Sequence, residues 1–206
     1  MIAEISTKFA WYMARSSGLV EWAILTASIV WGLALSTRLI RRKGVPAWLL
    51  DLHKFLGTLS VVFLAIHLFA LWIDNYVYFG ARELFLPWGS NYKPLSTALG
   101  PLGAGRMPAL WGVIGMYLLL AIQVTSWMMK HLSRKLWHRI HLLSFPLFVV
   151  ATLHAFTAGA DNANLLVQWL ALSGGLLVFF LVVFRLLAPR RARASRPTSV
   201  ETAAAA

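Results

Sequence analysis

Apolar residues run along this chain in five long blocks, near 19–40, 55–73, 109–129, 140–158 and 165–187. Each is about 20 residues long, the length that crosses the hydrocarbon of a bilayer at a rise of about 1.5 Å per residue. The blocks are too long for strands and do not alternate between apolar and polar positions. They predict an all-α integral membrane bundle of about five transmembrane helices. Residues 1–17 carry Glu4, Lys8 and Arg15 among apolar positions and read as an interfacial amphipathic helix, neither a span nor a cleavable leader. Residues 18–187 form the transmembrane domain. Residues 188–206, rich in Arg, Ala and Pro, read as a disordered basic tail. The long segment 74–108 holds Tyr76, Tyr78, Phe79, Phe85, Trp88 and Tyr92, a density of aromatics that favours lying on the bilayer surface.

Composition agrees with this pattern. Of 206 residues, 59% are hydrophobic and 13% charged, against about 25% charged in soluble domains. The net charge of +12 comes from nineteen Lys and Arg against seven Asp and Glu. In a soluble chain that excess would point to nucleic acid; here it resolves into topology. Arg38, Arg41, Arg42, Lys43 and Lys54 lie between the first two spans. Lys130, Arg134, Lys135 and Arg139 lie between the third and fourth. Arg185, Arg190, Arg191, Arg193 and Arg196 follow the fifth. All these connections fall on one side of the membrane, which the positive-inside rule makes the cytoplasm. The N-terminus is then outside and the C-terminus cytoplasmic. The expected partner of the surface is lipid, and no nucleic acid. The acids Glu21, Asp51, Asp74 and Asp161 read as lying at span ends.

Within this frame the histidines are placed by depth. His53 and His67 are fourteen residues apart on the second span, and His141 and His154 thirteen apart on the fourth. Both spans run outward, so His53 and His141 share the inner level and His67 and His154 the outer one. Each pair could clamp a planar group between two helices, and facing neutral imidazoles suit the axial positions of a haem iron. There is no cysteine, so any haem would be b-type, held without covalent attachment. On an ideal helix fourteen residues return to within about 40° of the same face, whereas thirteen miss it by about 140°. Pro146 lies between His141 and His154, and a kink is expected there. His138 shares a face with His141 but lies nearer the aqueous boundary, and His141 is the favoured ligand. His131 is expected to be solvated. A histidine-based proton or divalent-metal transporter is the rival class, although such proteins usually add intramembrane carboxylates or a broken helix. A haem membrane-anchor subunit of a periplasmic oxidoreductase is a third.

Asp51-Leu52-His53-Lys54-Phe55-Leu56-Gly57 followed by His67, and Trp137-His138-Arg139-Ile140-His141-Leu142-Leu143-Ser144-Phe145-Pro146 followed by His154, resemble the bacterial ferric-reductase-like transmembrane domain. The run Pro87-Trp88-Gly89-Ser90-Asn91-Tyr92-Lys93-Pro94 is similar to its small bacterial members. The superfamily includes NADPH oxidases, ferric reductases and the haem subunit of the periplasmic methionine sulfoxide reductase system. The resemblance implies two b-type haems, the inner on His53 and His141 and the outer on His67 and His154. It also implies transfer of electrons across a bacterial plasma membrane to an acceptor on the outer side. No Gly-rich dinucleotide fingerprint is present, so no flavin or nicotinamide site is expected in the chain, and the donor would be a separate flavoprotein reductase or a quinol. Lys54, His138 and Arg139 at the inner level, and Arg106, Tyr92 and Lys93 at the outer one, are candidates to touch haem propionates or the acceptor. Gly32, Gly57, Gly112, Gly115, Gly174 and Gly175 would allow close approach of helices or cofactor, and the pairs Gly112/Gly115 and Gly174/Gly175 could equally be plain packing.

Overall fold

The computed structural model describes residues 2–37, 47–75, 79–90, 92, 100–159 and 164–187. Its helices are α1 (Ile2–Thr37), α2 (Ala47–Ile73), the short α3 (Ala81–Phe85), α4 (Met107–Trp127), α5 (Arg134–His141), α6 (Ser144–Ala158) and α7 (Leu165–Leu187), with 3-10 turns at Gly100–Gly103 and Met129–His131. Among the described residues there is no strand. Five stretches are long and apolar enough to cross a membrane: Lys8–Ser36, Ala47–Ile73, Met107–Trp127, Arg134–Ala158 and Leu165–Leu187. The all-α, five-span architecture expected from the pattern is the one observed. The cations at 38–43, Asp161 and the tail 188–206 lie outside the described residues.

The first span begins earlier than expected. Phe9, Ala10, Trp11, Tyr12 and Met13 extend the apolar stretch toward the N-terminus, and α1 continues through position 17 without a break. Ala10, Ala14 and Ser17 are buried against the bundle. Glu21 therefore does not sit at a span end, as the sequence pattern suggested; it lies near the middle of Lys8–Ser36.

The fourth span is broken. Leu142 and Leu143 separate α5 from α6. Pro146 has no N–H, and its ring would clash with the carbonyl four residues back, that of Leu142. The Leu142 carbonyl instead accepts from the Phe145 amide at 3.2 Å, and the Leu143 amide turns back to Ile140 at 2.9 Å. The distortion thus falls three to four residues before the proline, between the two histidines, and resets their angular relation. The N-terminus of α5 is capped by the Ser133 hydroxyl, which accepts from the Leu136 amide at 3.3 Å.

α1 packs along α2 and also touches α6 and α7, while α4 packs on α6. The shared core joins Leu25, Ile29 and Leu33 of α1 to Leu119 and Ile122 of α4, Leu147 and Phe148 of α6, and Val178 and Leu181 of α7. Two polar contacts cross it. The Trp22 indole donates to the Thr152 hydroxyl at 3.0 Å, tying α1 to α6. The buried Gln123 amide reaches the Thr58 hydroxyl at 3.5 Å and occupies the space left by the missing side chain of Gly57. Outward faces are apolar as well: Phe55, Val62, Ile66 and Phe69 on α2, and Leu172, Leu176, Phe179 and Phe180 on α7, are exposed. Lipid solvates such side chains as well as a protein core does, so only the inward face needs close packing.

This division is testable by thermal unfolding in lipid nanodiscs. Leu147→Ala, at a site 2% exposed, is expected to cost about 2–5 kcal/mol. Phe179→Ala, 67% exposed, should change stability by less than about 0.5 kcal/mol.

Two imidazole pairs on a glycine-notched frame

The histidines of α2 meet those of the fourth span two by two. The ring centroids of His53 and His141 are 6.0 Å apart with planes at 78°, and those of His67 and His154 are 6.2 Å apart at 82°. The pairs expected from depth are therefore brought together, one at each end of the bundle. His138 stands outside them: it is exposed, and its ring contacts Trp137 at 6.3 Å. His131 is exposed in the 3-10 turn after α4.

Each imidazole is oriented by its other nitrogen. His67 Nδ1 lies 2.8 Å from the Ala14 carbonyl, His53 Nδ1 lies 3.1 Å from that of Ser28, and His154 Nδ1 lies 2.8 Å from that of Pro108. A carbonyl can only accept, so Nδ1 carries the proton in all three rings, and in the neutral ring Nε2 keeps its lone pair. This is the arrangement in which a second partner fixes ring orientation and raises the basicity of the ligating nitrogen.

The three rings are also seated alike. A Cβ on Gly18 would meet His67 Nδ1 at 3.1 Å, one on Gly32 would meet His53 Cε1 at 3.1 Å, and one on Gly112 would meet His154 Cε1 at 2.7 Å. In each case the carbonyl that accepts from the imidazole belongs to the residue four before the glycine: Ala14, Ser28 and Pro108. An α-helix pairs that carbonyl with the glycine's own amide, so the imidazole reaches a helical carbonyl through the notch of a missing side chain. Gly18 and Gly32 are fourteen residues apart, as are His53 and His67. Antiparallel packing of α1 on α2 brings both notches into register at once. Gly18 was not singled out by the sequence pattern; its spacing from Gly32 was the available signal.

The fourth ring differs. His141 Nδ1 is buried without a hydrogen-bond partner among the described residues, and the ring stacks on Trp137 at 5.0 Å and 23°.

A largely apolar, partly open cavity surrounds His67 and His154. Ala14, Gly18, Leu68, Gly112, Met116 and Ala155 are among its walls, and Arg15, Glu21, Glu83 and Tyr92 bring polar groups to it. Trp22 and Phe148, stacked with centroids 6.5 Å apart, lie between the two histidine levels along α1 and α6.

The other candidates lie at the surface. Lys54 pairs with Asp51 at 3.3 Å. Arg139 is exposed. Arg106 is exposed just before α4, its guanidinium donating to the Trp88 carbonyl at 3.4 Å. Lys93 lies outside the described residues. Among the described residues no group of three or more His, Cys, Asp or Glu side chains is placed to hold a bare metal ion. Two facing imidazoles would instead suit a metal whose remaining ligands come from a macrocycle.

The notches give a graded prediction. Gly112→Ala should displace the His154 ring and cost about 1–3 kcal/mol by overpacking. Gly115→Ala, whose Cβ would lie 3.8 Å from Val150, should be tolerated. Thermal unfolding of the two variants side by side measures the difference.

Comparison with known families finds that residues 17–152 match the model of the ferric reductase like transmembrane component. Domains of that family typically bind haem. No curated protein and no solved structure gives a significant match.

Proposed function

Because the chain belongs to the ferric-reductase-like transmembrane family, whose members are multi-pass membrane electron-transfer components, we propose that it is a di-haem cytochrome b carrying electrons across a bacterial plasma membrane. The observation that carries this reading is the spacing of the imidazoles, 6.0 Å and 6.2 Å between ring centroids. Facing imidazoles at that separation would leave room for one metal ion between them, and the chemistry they would support there is that of a bis-histidine haem. The proton on Nδ1 of His53, His67 and His154 supports the reading further, since it leaves Nε2 free to ligate. His53 and His141 would hold the inner haem, and His67 and His154 the outer one. With no cysteine in the chain, both are held non-covalently, as b-type haems.

Two haems at two depths supply one-electron stopping points through a layer that electrons do not otherwise cross. The chain's own part is to hold and orient. The α1 and α4 carbonyls fix the imidazole planes, the glycine notches let helix and ring approach, and the apolar walls exclude water. Lys54, His138 and Arg139 at the inner end, and Arg106 at the outer end, are assigned as propionate or acceptor contacts. The N-terminus is assigned to the outside, with the cation-rich connections in the cytoplasm. The donor is a separate cytoplasmic flavoprotein reductase or a quinol in the bilayer. The acceptor on the outer side is ferric iron, oxygen, a quinone or a periplasmic oxidoreductase.

Absorption spectroscopy of protein produced with ample haem tests the reading. The expected result is a reduced b-type spectrum with two haems per chain. Colourless protein, or protein that takes up zinc in place of haem, would overturn it in favour of metal or proton transport. His67→Ala and His154→Ala should each remove one haem, His53→Ala and His141→Ala the other, and His138→Ala neither. A variant series in which His138→Ala costs a haem and His141→Ala does not would reassign the inner ligand.

A further inference from the structure

Glu21 is a carboxyl within a helix long and apolar enough to cross a membrane. It lies near the middle of the span Lys8–Ser36 and lines the cavity that contains His67 and His154. Gly18, on which His67 rests, is one turn away on the same face of α1. No hydrogen bond or ion pair engages Glu21 among the described residues. An ionised carboxylate without a partner is costly in such a place, and intramembrane acids of this kind mark functional sites by default.

The charged and titratable groups that face this cavity are few. On α1 itself, Arg15 lies toward the outer end, its guanidinium 5.9 Å from the centre of the Tyr12 ring. α2 contributes His67 and α6 contributes His154. The segment between α2 and α4 contributes Glu83 and Tyr92. α7 contributes Val167 and no charged group. Between His67 and His154, a haem core has one net positive charge when its iron is ferric and none when it is ferrous, because the porphyrin is a dianion. The environment of Glu21 therefore changes by one charge with each electron.

We propose that Glu21 is a proton-binding site coupled to reduction at the His67–His154 level. With the iron ferric, Glu21 is ionised and balances its charge. When one electron arrives from the inner haem, the iron becomes ferrous, and Glu21 takes one proton from the aqueous phase to form its carboxylic O–H bond. One electron and one proton enter, and the net charge within the cavity is unchanged. On reoxidation both leave. This inference rests on the reading that His67 and His154 hold a haem.

Spectroelectrochemical titration of the haem-loaded full chain in nanodiscs, at a series of pH values, provides the test. The outer component is identified as the one missing in His67→Ala. Its midpoint should fall as pH rises, by up to about 59 mV per tenfold drop in proton activity for one proton per electron. A pH-indicator dye should report uptake of one proton per outer haem reduced. Glu21→Gln should abolish both the slope and the uptake and raise the outer midpoint, while Glu21→Asp keeps them over a shifted pH range. An unchanged slope in a Glu21→Gln protein with both haems bound would overturn the proposal. If Glu21→Gln loses its outer haem, Glu21→Asp decides: an unshifted profile overturns the assignment. A wild-type chain that binds no haem would instead remove the reading on which the proposal rests.

Discussion

Everything distinctive in this bundle follows from the need to keep four imidazoles inside an apolar layer. An imidazole has two nitrogens, and in hydrocarbon each must find a partner or cost free energy. α-Helices are poor suppliers of such partners, because their carbonyls already serve their own amides. The chain meets the difficulty on α1 and α4 by omitting a side chain at Gly18, Gly32 and Gly112. Each imidazole there comes close enough to share a helical carbonyl, that of Ala14, Ser28 or Pro108. The carbonyl then serves two donors, and the ring is held in one orientation through Nδ1.

That arrangement constrains the packing around it. Two notches on α1 and two histidines on α2 share one spacing, so the α1–α2 contact has a register that a slide by one turn would destroy at both levels. The fourth span cannot follow the same rule, because His141 and His154 are thirteen residues apart and an unbroken helix would turn one of them away. The break at Leu142 and Leu143, imposed by Pro146, brings both back toward α2. The result is uneven. His154 gains a carbonyl from α4, whereas His141, on the short α5 before the break, stacks on Trp137 and leaves Nδ1 unserved.

Much of the architecture was legible in the sequence. The lengths of the apolar blocks define the spans, and the depths of His53, His67, His141 and His154 pair them correctly, because depth in a span is counted directly in residues. Pro146 marks a distortion whose cause is local. What could not be read was which residues of other helices stand behind each ring. Gly18 looks like any small residue in a membrane helix until α1 is packed on α2. The extent of α1 was also misjudged: Lys8 and Arg15 suggested an interfacial segment, while the apolar residues between them continue the span and carry Glu21 to its middle.

The sequence by itself determined that this is a helical membrane protein with two levels of paired histidines, since hydrophobic length and residue count are one-dimensional properties. Only the tertiary structure decided that three rings lean on glycine-notched carbonyls and a fourth does not, and that Glu21 lines the outer cavity. Those facts depend on rotation about helix axes and on register between helices. Both are set by side-chain packing across the bundle, which the order of residues along a single helix marks only in part, as in the shared spacing of Gly18 and Gly32 with His53 and His67.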